Sequence, residues 1–148
     1  QPARATGRGE QVEPMASFES LRGRGMILYH PGFGISTAWA YRELAQHPEA
    51  LNGRPGRVDA LERALRSGDL AEAGQCFYNS LEAPALHKYP ILDLYQRFLR
   101  ENGAWAALMS GSGSTTFALF PDEATARAAV TPFEAQFGTA GWMQVVCL

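Results

Sequence analysis

Several features are scarce in this chain, and each scarcity excludes a class of protein. Lys88 is the only lysine among 148 residues, and acidic residues outnumber basic ones by 15 to 13. A formal net charge of −2 provides no basic patch of the kind that binds nucleic acid or an anionic membrane. No apolar run is long enough to span a bilayer. We therefore predict that neither nucleic acid nor a membrane is a partner.

Cysteine is nearly absent as well. Cys76 and Cys147 are the only two, and they lie far apart in apolar segments. Small secreted domains that depend on disulfides are much richer in cysteine, so the sequence predicts two buried, reduced thiols in a cytoplasmic protein. The three histidines, His30, His47 and His87, share no metal-ligand spacing, so no metal site is predicted.

The common catalytic motifs are also missing. The phosphate-binding pattern GxxxxGK[ST] and the dinucleotide pattern GxGxxG do not occur, and no GxSxG elbow surrounds Ser112. What does occur is "MSGSGSTTFALF", in which residues 110–114 are only serine and glycine between two apolar strand patterns. Successive amides in such a loop can form a concavity for an anion, most often a phosphate. A flexible, solvated hairpin tip is the alternative, and the local sequence leaves both open.

Hydrophobic periodicity along the chain predicts an α+β domain. Strands are predicted at residues 11–14, 26–30, 105–109, 115–120 and 141–147. Helices are predicted at residues 37–46, 57–67, 69–79 and 90–102, and from Asp122 onward, where Pro132 is expected to kink or restart the helix. Residues 50–56 are predicted as a loop. Without its first short strand, the order is a split βαβ pattern with extra helices in its first crossover. We therefore expect a ferredoxin-like, four-stranded antiparallel sheet with helices on one face.

Four stretches, taken in order, resemble one family. "ATGRGEQVEP", "MILYHPGFGISTAWAYREL", "NSLE" and "MSGSGSTTFALF" are similar to the C-terminal part of the GHMP kinases. The pair "GRGE" and "HPGFGIST" narrows the resemblance to the 4-diphosphocytidyl-2-C-methyl-D-erythritol kinases of non-mevalonate isoprenoid biosynthesis. The resemblance implies that residues 1–25 are the end of an N-terminal kinase domain and its connector. Residues 26–148 would be the GHMP kinase C-terminal domain.

The resemblance also implies a reaction and its partners. The family transfers phosphate from ATP, with Mg²⁺, to the 2-hydroxyl of the erythritol unit, a reaction that depends on positioning and charge neutralisation. The family's N-terminal lysine, its longer glycine-rich motif and its catalytic aspartate do not occur in this chain, and the aspartate is expected just upstream of Gln1. We therefore expect no catalytic residue here, a missing N-terminal kinase domain as partner, and no activity from this chain alone.

The resemblance assigns two sets of site residues. The expected phosphate loop consists of Ser110, Gly111, Ser112, Gly113 and Ser114, and the expected substrate pocket contains Thr37, Tyr41 and Arg8. A purely structural interpretation makes Thr37 a helix cap and Tyr41 a core residue. For Asn79 and Glu82 of "NSLE" we favour a structural role, in a buried hydrogen bond at a helix end. Two other functions stay open: a homoserine or mevalonate type of GHMP kinase, and a non-enzymatic ferredoxin-like module that binds a small ligand.

Overall fold

The computed structural model describes residues 2–7, 9–51 and 56–148. This part of the chain contains six strands: β1 (Ala3–Thr6), β2 (Gln11–Pro14), β3 (Gly25–His30), β4 (Ala106–Met109), β5 (Thr116–Phe120) and β6 (Trp142–Cys147). It also contains seven α-helices: α1 (Thr37–Leu44), α2 (Pro48–Leu51), α3 (Arg57–Ser67), α4 (Leu70–Cys76), α5 (Glu82–Lys88), α6 (Ile91–Glu101) and α7 (Glu123–Phe137). A short 3₁₀ turn at Glu19–Leu21 precedes β3.

Four of the strands form one antiparallel sheet in the order β4-β5-β3-β6. In its register, Tyr29 of β3 lies between Thr116 of β5 and Met143 of β6. β4 and β5 pair directly, with Met109 opposite Thr116, so the Ser-Gly segment is the loop of a hairpin. The prediction of an α+β domain with a four-stranded antiparallel sheet is confirmed. β1 and β2 form a separate two-stranded sheet, of which only β2 was predicted.

The core lies between the sheet and helices α6 and α7. Alternate residues of β3 point into it, and Ile27 is fully buried together with Phe120 of β5 and Phe133 of α7. The rings of Tyr29 and Phe133 pack edge to face on each other, as do Tyr95 on Tyr29 and Phe98 on Phe133. Tyr95 and Phe137 contact Phe133 at tilted angles. Burial, followed by the contact with Tyr95, raises the pKa of Tyr29 to about 12.

Two helix predictions need correction, since the helix expected at residues 69–79 ends at Cys76 as α4, and the one from Asp122 onward does not restart; α2 and α5 were not predicted. α7 continues without a break from Glu123 to Phe137, so the helix does not restart after Pro132. Ala129 and Phe133 are buried on either side of the proline, and this packing outweighs the loss of one backbone hydrogen bond. α5 was not predicted because its sequence contains Pro84. This proline lies within the first turn of the helix, where proline is tolerated. The expected loop at residues 50–56 begins inside α2, and residues 52–55 of it lie outside the described residues.

The prediction of two buried thiols is wrong for one residue and incomplete for the other. Both cysteines are free, but Cys147 is exposed and Cys76 is only half-buried. Cys147 is exposed because it ends β6, which lies at the edge of the sheet. Within the described part of the chain, no helix combines the length and apolar character needed to cross a membrane.

Candidate functional site

The Ser-Gly loop joins β4 to β5 in a tight turn. The Ser110 amide donates to the carbonyl of Thr115 at 2.7 Å, and the Gly113 amide donates to the carbonyl of Ser110 at 3.0 Å. Gly111 and Gly113 have φ angles of +57° and +85°, which L side chains rarely adopt. A Cβ at Gly113 would also lie 2.4 Å from Sδ of Met109. The loop therefore requires glycine at both positions, and at Gly113 for two reasons.

The loop presents backbone donors at its tip. Among the residues that the structure describes, the Gly111 and Ser112 amides have no hydrogen-bond acceptor. Ser114 differs, since it is fully buried and its hydroxyl donates to the carbonyl of Phe33. The donors left for a ligand are thus at the tip of the loop, and Ser114 fixes its base.

A hydrogen bond between two side chains connects the loop tip to the start of α1. Thr37 Oγ1 lies 2.8 Å from Ser112 Oγ, although 75 residues separate them in the chain. Ser36 caps α1 by accepting from the Trp39 amide at 3.3 Å, so capping does not explain Thr37. Tyr41 lies one helical turn after Thr37 and therefore on the same side of α1. Its side chain is 62% exposed, so it is not a core residue.

Asn79 stabilises the start of the loop through hydrogen bonds of its side chain. Its Nδ2 donates to the carbonyls of Met109 and Gly111, each at 2.8 Å, and so spans the start of the loop. Its Oδ1 accepts from the Leu81 amide at 3.0 Å, which fixes the turn before α5. One side chain therefore satisfies three backbone groups of two segments that are distant in sequence.

Glu82 supports the strand that leads into the loop. Its Oε1 accepts from the Met109 amide at 2.7 Å and from Nε2 of Gln96 at 2.6 Å. Arg100 extends the network, because its guanidinium donates to Oε1 of Gln96 at 3.0 Å and to the carbonyl of Ala107. Burial raises the pKa of Glu82, although the hydrogen bonds from Met109 and Gln96 act in the opposite direction.

The structure thus brings some of the expected site residues together. Thr37 and the tip of the loop are in contact, and Tyr41 lies on the side of α1 that bears Thr37. Arg8 lies outside the described residues. The structural role that we favoured for Asn79 and Glu82 is found, but their bonds reach the loop as well as a helix end. The spacing Asn-x-x-Glu could have indicated this, since it places both residues at the start of α5.

Two further features bear on the chemistry. The ammonium group of Lys88 lies 4.2 Å from the centre of the Trp39 ring, so it contacts an aromatic face. Within the described ranges, no group of three His, Cys, Asp or Glu side chains could hold a metal ion.

The chain matches the model of a protein family. The family model described as "GHMP kinases C terminal" matches residues 61–139, just over half of the chain. The match includes helices α4 to α7, the "NSLE" segment and the Ser-Gly loop.

Two curated relatives from bacteria both carry the name 4-diphosphocytidyl-2-C-methyl-D-erythritol kinase. The relative from Thermodesulfovibrio yellowstonii is 38% identical over 148 aligned residues, which cover 95% of this chain and 47% of that protein. The relative from Pelotomaculum thermopropionicum is also 38% identical, over 84% of this chain and 42% of its own length. The chain therefore spans a little under half the length of the curated relatives it matches.

Solved structures agree in fold. A crystal structure of 4-(cytidine 5'-diphospho)-2C-methyl-D-erythritol kinase matches with a TM-score of 0.72 and 30% identity, over 99% of this chain and 50% of that one. Mevalonate kinase from L. major in complex with R-mevalonate gives a TM-score of 0.69 at 21% identity, over 98% of this chain and 48% of that one. The second likeness is one of fold alone.

Proposed function

Because the chain belongs to the GHMP kinase C-terminal family, we propose that it forms the C-terminal part of an ATP-dependent small-molecule kinase. The proposed acceptor is the 2-hydroxyl of 4-diphosphocytidyl-2-C-methyl-D-erythritol. The name of two curated relatives, each 38% identical to this chain, supports this choice over homoserine or mevalonate.

One observation carries the proposal: the hydrogen bond of 2.8 Å between Thr37 and Ser112. It brings the helix assigned to the substrate pocket against the loop assigned to phosphate. In phosphoryl transfer, negative charge is spread over the transferring group, and correctly placed donors stabilise it. The Gly111 and Ser112 amides are available for such contacts. Tyr41, exposed one turn along α1, would form a wall beside the substrate.

We assign the chain to two parts of a kinase and the catalytic aspartate to a region outside this chain. Residues 1–25 would belong to the end of an N-terminal kinase domain and its connector, and residues 26–148 would be the C-terminal domain. The sheet order β4-β5-β3-β6 supports a ferredoxin-like split βαβ arrangement for the second part. The catalytic aspartate is assigned to the N-terminal domain, so this chain alone should be inactive. Mg²⁺, which would neutralise charge on the ATP phosphates, is given no ligand among the described residues.

The phosphate assignment can be tested in a chimera. This chain replaces the C-terminal half of the Thermodesulfovibrio yellowstonii relative, and ADP release is measured with ATP and 4-diphosphocytidyl-2-C-methyl-D-erythritol. Ser112→Pro removes the amide, whereas Ser112→Ala keeps it and removes only the hydroxyl. We expect KM for ATP to rise more in Ser112→Pro than in Ser112→Ala, with circular dichroism unchanged. Equal KM values for ATP in the two folded variants would contradict the assignment.

A further inference from the structure

The outer edge of β6 is open. β6 ends the four-stranded sheet, and within the described ranges it pairs only with β3. The Leu148 amide donates to the carbonyl of Arg24 and the Leu148 carbonyl accepts from the Gly23 amide, each at 2.9 Å, so Leu148 faces the β3 side as one member of a hydrogen-bonded pair. Because such pairs alternate along an antiparallel ladder, the backbone groups of Met143, Val145 and Cys147 point away from β3. This outer row could pair with another strand.

The two edge strands of the sheet, β4 and β6, differ in how many side chains bond to their outward-facing backbone groups. On β4, side chains cover the edge: Arg100 donates to the carbonyl of Ala107, and Asn79 and Glu82 bond the carbonyl and amide of Met109. Among the described residues, β6 has a single bond of this kind, from Nε2 of its own Gln144 to the carbonyl of Val145. It also lacks the charged side chains and prolines that usually prevent edge pairing.

The pattern of side chains fits a second copy of the same strand. A two-fold axis perpendicular to the sheet keeps each face on its own side. Odd-numbered residues of one copy must therefore lie opposite odd-numbered residues of the other, and even-numbered residues opposite even-numbered ones. When the axis passes through Val145, this residue lies opposite Val145 of the second copy, and Met143 lies opposite Cys147 of the second copy. On the other face, Trp142 then meets Leu148 of the second copy. Trp142 and Leu148 are 55% and 41% exposed, and pairing would cover both.

Charge is consistent with the same arrangement. Two-fold symmetry brings identical segments together, so any charged side chain near the axis would be placed close to its own copy. None of residues 142–148 has a charged side chain. Like charges directly opposite each other on neighbouring strands are destabilising, and none would arise here.

We propose that two copies of this chain pair through the outer edges of β6, with Val145 at the two-fold axis, to form a continuous eight-stranded antiparallel sheet. The inference is independent of the proposed kinase activity. The paired segment is short and covers less surface than a standard interface, so the dimer should dissociate on dilution. The measured molecular mass should therefore rise with protein concentration.

The first test exchanges charge at the exposed pair. Trp142→Lys with Leu148→Lys places like charges opposite each other, whereas Trp142→Lys with Leu148→Glu places opposite charges there. The two positions lie at opposite ends of β6, so the charges do not interact within one chain. In sedimentation equilibrium, we expect the dimer of the Lys/Glu chain to be about tenfold tighter than that of the Lys/Lys chain, or more. Equal dissociation constants, or a monomer at every concentration for all chains, would overturn the proposal.

The second test determines which residues of the two β6 strands lie opposite each other. Met143→Cys should form a disulfide with Cys147 of the second copy, because the two positions lie opposite each other on one face. Trp142→Cys is the control, since its side chain lies on the other face, opposite Leu148 of the second copy. Under oxidation, a covalent dimer from Met143→Cys alone supports the register. No crosslink from Met143→Cys, or an equal yield from the control, contradicts it.

Discussion

Thr37 at the start of α1 and Ser112 at the tip of the β4–β5 loop share a hydrogen bond of 2.8 Å. Both residues are on the surface, and together they fix the loop relative to the helix. Removing either hydroxyl, by Thr37→Val or Ser112→Ala, should cost about 0.5–1.5 kcal/mol of unfolding free energy. Urea unfolding of the two single variants and the double variant should give a coupling energy above ~0.5 kcal/mol.

The matched control for this pair is Ser110→Ala in the same loop. Ser110 is exposed and only its backbone takes part in a hydrogen bond, so its loss should change stability by less than ~0.5 kcal/mol. Additive effects of Thr37→Val and Ser112→Ala would show that the contact has no energetic weight.

Asn79 should matter more for stability than its partly exposed position suggests. Asn79→Ala removes two donors to the carbonyls of Met109 and Gly111 and one acceptor for Leu81. We expect a loss of about 2–4 kcal/mol, since three backbone groups lose their partner. Hydrogen exchange should also become faster at the Gly113 amide, whose bond to Ser110 depends on the loop conformation. Unchanged exchange there would show that Asn79 does not hold the loop.

We expect alanine substitutions at the two glycines of the loop to reduce stability by unequal amounts. Gly111→Ala meets no atom within 4 Å, so only the left-handed backbone conformation is penalised, by about 1–2 kcal/mol. Gly113→Ala adds a collision with Met109 and should cost at least ~1 kcal/mol more. Thermal unfolding of the two variants measures the difference directly. A Gly113→Ala variant as stable as Gly111→Ala would refute the loop geometry.

Glu82 predicts a pH dependence of stability. Burial raises the pKa of its carboxyl above the usual 4.5, so the folded state holds this proton more tightly than the unfolded state does. Its stabilising contribution is fully present below pH 4.5 and is lost as pH rises through the folded pKa. Glu82→Gln stays neutral and keeps the acceptor for Met109. The wild-type chain should therefore lose unfolding free energy relative to Glu82→Gln as pH increases above 4.5.

The control for this prediction is Glu101→Gln, at an exposed position near the end of α6. Its stability should follow the wild type across the same pH range. A constant difference between the wild type and Glu82→Gln from pH 4 to pH 7 would show that Glu82 is not the titrating group.

Local sequence patterns predicted much of the fold, because most elements have regular periodicity. The strands at β3, β5 and β6 were placed within one residue at each end, and α3 was placed at the bounds that the structure gives it. β1 was missed because its residues, "ARAT", include no aromatic and only one β-branched residue, so they show little intrinsic preference for a strand. α5 was missed because Pro84 conceals a helix that packing stabilises. Long-range contacts decide these two elements, and a short sequence window does not contain them.

The candidate site was predicted less completely. The serines and glycines of the loop identified it, but nothing local indicates that Ser114 faces inward to Phe33 while Ser112 reaches Thr37. The positions of Asn79 and Glu82 below the loop depend on how α5 packs beside β4. Such contacts follow from tertiary structure, and the resemblance to a family could indicate the residues but not their bonds.

The substrate range of the chimera is the most direct test of the proposed kinase function. ADP release is measured with 4-diphosphocytidyl-2-C-methyl-D-erythritol, homoserine and mevalonate at equal concentrations, with the isolated 148-residue chain as the second sample. We expect turnover by the chimera with the first substrate only, and none by the isolated chain. Equal turnover with homoserine or mevalonate, or ATP turnover by the isolated chain, would contradict it.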